Sequence, residues 1–114
     1  CLVGSEMCIR DRLGENSNDS EKRKKQSLEF QVTEDTPPTF LWHTVTDDCV
    51  PVENSLLFFE ALHKYKVPVE LHLYPTGVHG LSLANEETCH EDGGCIQPEC
   101  QSWMELACTW IRNL

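Results

Sequence analysis

Two short apolar runs bounded by prolines constrain the fold of this chain more than any other feature. The first, TFLWHT, follows a pair of prolines, and the second, VELHLY, lies between two single prolines. Proline has no N–H to donate to a sheet ladder, so it marks the ends of strands and not their interiors. The pattern predicts one strand over about 39–44 and a second over about 69–75.

The segment between the two runs has the period of a helix. VENSLLFFEALHKYK, residues 52–66, places apolar side chains at 52, 56, 59 and 62, which is one broad face of a helix. Two strands joined by such a crossover helix are expected to run parallel. A last amphipathic run predicts another helix over about 97–112, with Trp103, Leu106 and Trp110 in register. The predicted class is therefore α/β, in the order βαβα.

Composition shifts divide the chain into three parts. Residues 1–12, CLVGSEMCIRDR, resemble translated adapter sequence and are predicted to be a non-native leader, with a short native strand as the alternative. Residues 13–26 are polar without an apolar stripe, which indicates a linker or a weak surface helix. Residues 27–114 remain as the folded part, and at this length they form one domain at most.

The charge balance excludes some classes of partner. The chain has 19 acidic and 9 basic residues, a net charge of −10, so its field repels nucleic acid and anionic membranes. No apolar run approaches the roughly 20 residues of a membrane helix. Seven irregularly spaced cysteines indicate reduced thiols, which slightly favours the cytoplasm, although a chain that begins with Cys leaves the localisation open. The oligomeric state is open as well.

Two polar residues follow the two predicted strands. Asp47 lies three residues past the first strand, and His79 lies in a glycine-bounded turn four residues past the second. In an open parallel sheet, functional groups gather in the loops after the carboxyl ends of the strands. A carboxylate beside an imidazole fixes its tautomer and prepares it to act as a general base. The two residues are therefore the candidate catalytic pair, and a turn or helix-capping carboxylate is the alternative for Asp47.

These segments carry a family resemblance. TPPTFLWHTVTDDCVPVENSLLFFEAL followed by YPTGVHGLSLA resembles the C-terminal part of an α/β-hydrolase of the prolyl-oligopeptidase and dienelactone-hydrolase-like branch. Within that branch it is most similar to acetylxylan-esterase-like carbohydrate esterases. The resemblance runs from about Ser27 to Leu114 and implies that the chain is the C-terminal βαβα portion of the fold.

The resemblance also implies an activity and assigns roles. The family's D-x-x-V-P loop falls on Asp47, with Asp48 as the adjacent carboxylate without a role, and its G-x-H-G turn falls on His79. It implies a serine esterase that hydrolyses acetyl esters of carbohydrates through a Ser-His-Asp triad. A small ester or acetylated carbohydrate is then the expected substrate, and the chemistry requires no cofactor.

The chain departs from the family at the nucleophile. No G-x-S-x-G elbow occurs, and the segment that would form the oxyanion hole is also missing. The chain is therefore expected to be a fragment that is inactive alone. Two alternatives stay open, a fragment of an S9-type serine peptidase and a non-catalytic binding module on the same fold.

The remaining candidate residues have simpler interpretations. His43, His63 and His72 are predicted to be packing residues, and the three tryptophans are predicted core aromatics, a set comprising Trp42, Trp103 and Trp110. Zinc could in principle bind a further set, Cys89, His90, Cys95 and Cys100. Its C-x5-C and C-x4-C spacings fit a structural zinc site poorly, so no metal is expected. A local disulfide within that set is the alternative if the protein is secreted.

Overall fold

The computed structural model describes residues 20–89 and 94–114 of the chain. The elements follow in the order α1 (Ser20–Gln26), β1 (Thr39–Thr44), α2 (Glu53–Lys64), β2 (Val69–Tyr74) and α3 (Trp103–Arg112), with 3-10 turns at Leu28–Phe30 and Pro98–Cys100. The short helix α1 falls within the segment predicted as a linker or weak helix. The predicted leader, residues 1–12, lies outside the described residues.

The two strands form one parallel sheet. Thr39 pairs with Val69 at the start and Thr44 with Tyr74 at the end, so the strands begin and finish together. Helix α2 connects them, which confirms the predicted βαβ unit. Because the strands end side by side, the loops that follow them leave from the same edge of the sheet.

Side chains of β1 alternate between the two faces of the sheet. On one face, Leu41 packs with Leu62 of α2 and Val67 in a buried cluster. On the other, Trp42 stacks on Trp103 of α3, with ring centroids 5.1 Å apart. The sheet therefore lies between α2 and α3, and the apolar faces of both helices cover it.

Helix α2 is shorter than the predicted 52–66 because its C-terminus is capped by the backbone. The N–H of Lys66 donates to the carbonyl of His63, and the N–H of Val67 donates to that of Leu62, both at 3.0 Å. Lys66 has a φ of +60°, the left-handed conformation that ends a helix in a Schellman motif. Val67 and Leu62 then contact each other in the core. No glycine marks this stop, so the periodicity predicted a longer helix.

The predicted C-terminal helix over 97–112 begins later than expected, at Trp103. Residues 98–100 form a 3-10 turn, in which the N–H of Cys100 donates to the carbonyl of Gln97 at 2.9 Å. The Gln97 N–H donates to the carbonyl of Ala84 at 3.0 Å, and Cys100 is fully buried against Ala84. These tertiary contacts tighten the segment and separate it from α3.

Within the described ranges, no helix has both the length and the apolar character needed to cross a membrane.

Leu62→Ala should destabilise the fold far more than the same change at Leu57. Leu62 is completely buried in the cluster beneath the sheet, whereas Leu57, on the same helix, is 48% exposed. Removing the buried side chain should lower the free energy of unfolding by about 2–5 kcal/mol, against about 0.5 kcal/mol for the exposed one. Urea denaturation of the two variants measures the difference, and equal losses would contradict the burial of Leu62 beneath the sheet.

Candidate active site

The two loops that leave the sheet edge are joined by backbone and threonine contacts. The N–H of Val45 donates to the carbonyl of Tyr74 at 2.8 Å, one residue beyond the paired strands. The hydroxyls of Thr44 and Thr46 donate to the carbonyl of Gly77 at 3.0 and 3.1 Å. The Gly77 N–H donates back to the Thr46 hydroxyl at 2.9 Å. The first loop therefore fixes the position of the second.

Asp47 lies in the first loop and uses its two carboxylate oxygens differently. Oδ1 accepts the backbone N–H of Cys49 at 2.9 Å and that of Val50 at 2.8 Å, which closes a tight turn over residues 47–50. Oδ2 lies 2.9 Å from Nδ1 of His79 in the second loop. The structure thus brings together the two residues that the sequence predicted as a pair.

The surroundings of Asp47 favour its charged form. Burial by itself raises the pKa of a carboxyl group, because the charged form loses water. Hydrogen bonds from the Val50 N–H, the His79 imidazole and the Cys49 N–H outweigh that effect, and the pKa of Asp47 lies below its ordinary value of 3.8. Asp47 is therefore a carboxylate at neutral pH, the form that can orient an imidazole.

The contact with Asp47 determines which nitrogen of His79 carries the proton. A carboxylate oxygen can only accept, so Nδ1 of the ring is protonated. In the neutral ring, Nε2 then has a free lone pair that can take a proton from a nucleophile. The His79 side chain is 32% exposed and lines an open cavity of about 200 Å³, together with Trp42, Val78 and Leu81. The arrangement can supply a general base to a molecule bound in the cavity.

Asp48 does not share this environment. It is exposed, and its carboxylate lies within 4.8 Å of both the Asp47 carboxylate and the Cys49 thiol. Among the described residues, these three form the group of side chains that could converge on a cation. Asp47 is already occupied by two N–H groups and an imidazole, and the other two face solvent.

The zinc hypothesis for the later cysteines gains no support from residues 20–89 and 94–114. Cys89, Cys95 and Cys100 do not form a convergent group there, and His90 lies outside the described residues. Burial, and then the charge of Glu99, raise the pKa of the Cys100 thiol. A raised pKa disfavours the thiolate form that binds zinc.

His43 belongs to this site, although the strand pattern predicted only a packing role for it. Its buried ring places Nε2 3.0 Å from the carbonyl oxygen of Val50 and 3.6 Å from Oδ2 of Asp47. Its Nδ1 lies 2.6 Å from the hydroxyl oxygen of Ser55 in α2. The hydrogen-bond partners lie 7 and 12 residues away, which is no regular spacing, so the sequence pattern held no signal for this role.

The two other histidines among the described residues, His63 and His72, lie away from the cavity. His72 pairs with Glu70 through a 2.7 Å contact between Nε2 and Oε1. His63 is exposed on α2, where its ring is parallel to that of Phe59 with centroids 6.3 Å apart. Neither residue contacts Asp47 or His79.

Comparison with known families gives a match over most of the chain. The sequence profile of the prolyl oligopeptidase family matches residues 9–92. This range includes both loops of the site and extends back into the segment that was predicted as a leader.

Similar proteins and structures come from several bacteria. Over 79 residues, the chain is 48% identical to endo-1,4-beta-xylanase B of Butyrivibrio fibrisolvens, covering 69% of this chain and 12% of that protein. A sugar hydrolase from Lactococcus lactis superposes with a TM-score of 0.77 and 38% identity, over 83% of this chain and 38% of that structure. An acetyl ester-xyloside bifunctional hydrolase from Caldicellulosiruptor lactoaceticus gives a TM-score of 0.60 and 40% identity, over 82% of this chain and 36% of that one. The chain thus spans a minor part of each.

Gly77→Ala should disrupt the contact between the two loops. An added Cβ would lie 2.5 Å from Cγ2 of Thr44 and 2.7 Å from Cδ1 of Leu81, both closer than atoms can pack. The free energy of unfolding should fall by about 1–3 kcal/mol, and the N–H of residue 77 should lose protection from hydrogen exchange.

Gly80→Ala is the matched control. Gly80 has a φ of +77° but open space around it, so its substitution introduces only backbone strain of about 1–2 kcal/mol. It should leave the exchange of the Gly77 N–H unchanged. Full protection of that N–H in the Gly77→Ala variant would show that the loops tolerate the methyl group.

Asp47→Asn should destabilise the fold at neutral pH and less so in acid. Because folding lowers the pKa of Asp47, its carboxylate stabilises the folded state fully above the unfolded pKa near 3.8. That stabilisation is lost as the pH falls through the lower folded pKa. Urea titrations at several pH values should show a gap between wild type and variant that closes below pH 3.8.

Asp48→Asn serves as the control for the pH series, since Asp48 is the exposed neighbour. It should change the free energy of unfolding by no more than about 0.5 kcal/mol at neutral pH. A wild-type to Asp47→Asn gap of the same size at pH values above and well below 3.8 would mean that ionisation of Asp47 does not stabilise the fold.

Proposed function

Because this chain belongs to the prolyl oligopeptidase family, we propose that it supplies the acid and the base of a Ser-His-Asp triad in a longer serine esterase. The acid is Asp47 and the base is His79. The observation that carries the proposal is the 2.9 Å contact between Asp47 Oδ2 and His79 Nδ1 beside an open cavity. The proposed substrates are acetyl esters of carbohydrates.

The proposed chemistry follows from the two ring nitrogens of His79. Nε2 takes the proton from a serine hydroxyl as its oxygen attacks the ester carbonyl carbon, and then returns it to the departing alcohol. The acetyl group stays on the serine until a water molecule, deprotonated by the same nitrogen, attacks it; acetate is then released, and the nitrogen returns the proton to the serine oxygen. Asp47 keeps the ring in the required tautomer and stabilises the imidazolium that forms in each step.

The proposal places the serine outside this chain. The chain spans 38% of the Lactococcus lactis structure and 36% of the Caldicellulosiruptor one. Within residues 20–89 and 94–114, His79 bonds to Asp47 and to no serine hydroxyl. Ser82 lines the same cavity with a φ of +52°, but it lies in a turn and not between a strand and a helix, where a nucleophile elbow forms.

The names of similar proteins support the substrate class. A xylanase and an acetyl ester-xyloside hydrolase are among the relatives, and acetylated xylan is a polymer on which both kinds of activity would be useful together. The family name supports a second candidate, a serine peptidase with the same acid and base. A non-catalytic module is a third candidate, which the lowered pKa of Asp47 and its hydrogen bond with His79 do not favour.

Substitution of the pair in the full-length protein tests the proposal. Asp47→Asn should lower kcat on an acetylated xylo-oligosaccharide by up to about 10⁴-fold, since the imidazole loses its orienting charge. His79→Ala should lower kcat at least as far, because it removes the base itself. Asp48→Asn is the matched control and should stay within a few-fold of wild type.

Substrate choice separates the candidates. Full-length wild type should release acetate from the acetylated xylo-oligosaccharide and leave a proline-containing peptide anilide intact. The reverse preference would favour the peptidase, and activity unchanged by His79→Ala would exclude a triad that contains this residue. If Asp48→Asn and not Asp47→Asn abolishes turnover, the acid has been assigned to the wrong neighbour.

A further inference from the structure

His43 is one of three buried polar residues in the described part of the chain, and every nitrogen of its ring has a partner. It lies near the end of β1 on the face that packs against α2 and is 9% exposed. Ser55, 1% exposed, contacts Nδ1 at 2.6 Å, and the carbonyl of Val50 contacts Nε2 at 3.0 Å. The two contacts therefore fix the orientation of the ring between α2 and the loop after β1.

The partners define the protonation of the ring. A carbonyl oxygen can only accept, so Nε2 carries a proton and donates it to Val50. In the neutral ring, Nδ1 then accepts a hydrogen bond from the Ser55 hydroxyl. This tautomer satisfies both nitrogens without burying a net charge.

The backbone of Val50 connects His43 to Asp47. Its N–H donates to Oδ1 of Asp47 at 2.8 Å, while its carbonyl accepts from His43. The same Nε2–H group lies 3.6 Å from Asp47 Oδ2, the oxygen that faces His79. His43 therefore lies close to Oδ2 of Asp47. It is also linked to Oδ1 through Val50, which hydrogen-bonds to both residues.

We propose that His43 is a positioning residue for Asp47, which it aims at His79 by fixing the turn over residues 47–50. The expected effect on kcat rests on the proposed function. The expected effect on the position of the Asp47 carboxylate does not. A displacement of the acid by about 1 Å would be enough to cost about 10²-fold in rate. His43 also lines the cavity, but its ring is only 9% exposed and both of its nitrogens have protein partners, so substrate binding should be affected little.

Three substitutions of His43 distinguish the effect of its Nε2–H donor from that of the volume of its ring. His43→Leu keeps an apolar volume but removes both nitrogens. His43→Gln restores an N–H donor at the reach of Nε2, and His43→Asn places an amide only near Ser55. We expect kcat to fall by about 10²-fold in the Leu and Asn variants, with KM within about threefold, and most of kcat to return in the Gln variant.

His72→Leu is the matched control, because it removes a half-buried histidine of β2 that pairs with Glu70 and lies away from the cavity. It should leave kcat unchanged. If His43→Leu does not fold, the comparison of the Gln and Asn variants carries the test, and equal kcat values in those two would overturn the proposal.

A double-mutant cycle distinguishes positioning of Asp47 from a general structural role. If His43 acts through Asp47, His43→Leu should cost little further rate in an Asp47→Asn background, where the orienting charge is already absent. The same fold-loss in both backgrounds would overturn the proposal.

Proton NMR of the full-length protein makes the test independent of activity. The Nδ1–H of His79, hydrogen-bonded to Asp47 at 2.9 Å, should give a downfield resonance that the Leu variant loses and the Gln variant retains. A wild type with this resonance and no esterase activity would refute the proposed function and leave the positioning role testable. A resonance unchanged in His43→Leu would refute the positioning role.

Discussion

Parallel pairing of β1 and β2 with their ends level is the constraint on which the rest of this site depends. Thr44 lies opposite Tyr74, and the ladder continues to Val45 before the chains diverge. A register shift of two residues would keep the same faces buried but move the loops about 7 Å apart along the sheet. A contact of 2.9 Å between Asp47 and His79 could not survive such a shift.

Much of this arrangement could be read from the sequence because it depends on local signals. Prolines and apolar runs predicted β1 with its observed bounds and β2 with one residue too many at its end, and a helical period between them indicated parallel strands. Asp47 and His79 could then be paired from their positions after the strand ends. The helix ends could not be predicted, since Lys66 adopts a left-handed conformation without being a glycine, and Cys100 is held in its turn by contacts with distant residues.

The role of His43 was beyond local reasoning for a related cause. Its partners are a hydroxyl 12 residues away and a carbonyl 7 residues away, and neither distance has a period that a pattern could detect. The same imidazole in a strand could equally have faced solvent or an apolar layer. Whether His43 only packs or also hydrogen-bonds beside the acid depends on where Ser55 and Val50 lie. The packing of α2 against the sheet determines their positions.

The close approach of Gly77 to Thr44 has a consequence for how such a site can change over evolutionary time. The methyl group of Thr44 and Cδ1 of Leu81 together exclude a side chain at position 77, while the Thr44 hydroxyl donates to the carbonyl of that same residue. A serine at position 44 would keep the hydroxyl and remove the methyl group. Divergence at this point therefore has a preferred order, in which Thr44 becomes smaller and the Leu81 side chain moves aside or is replaced before the loop can accept a side chain. A chain of this fold that keeps the present side chains beside position 77 is therefore restricted to glycine there.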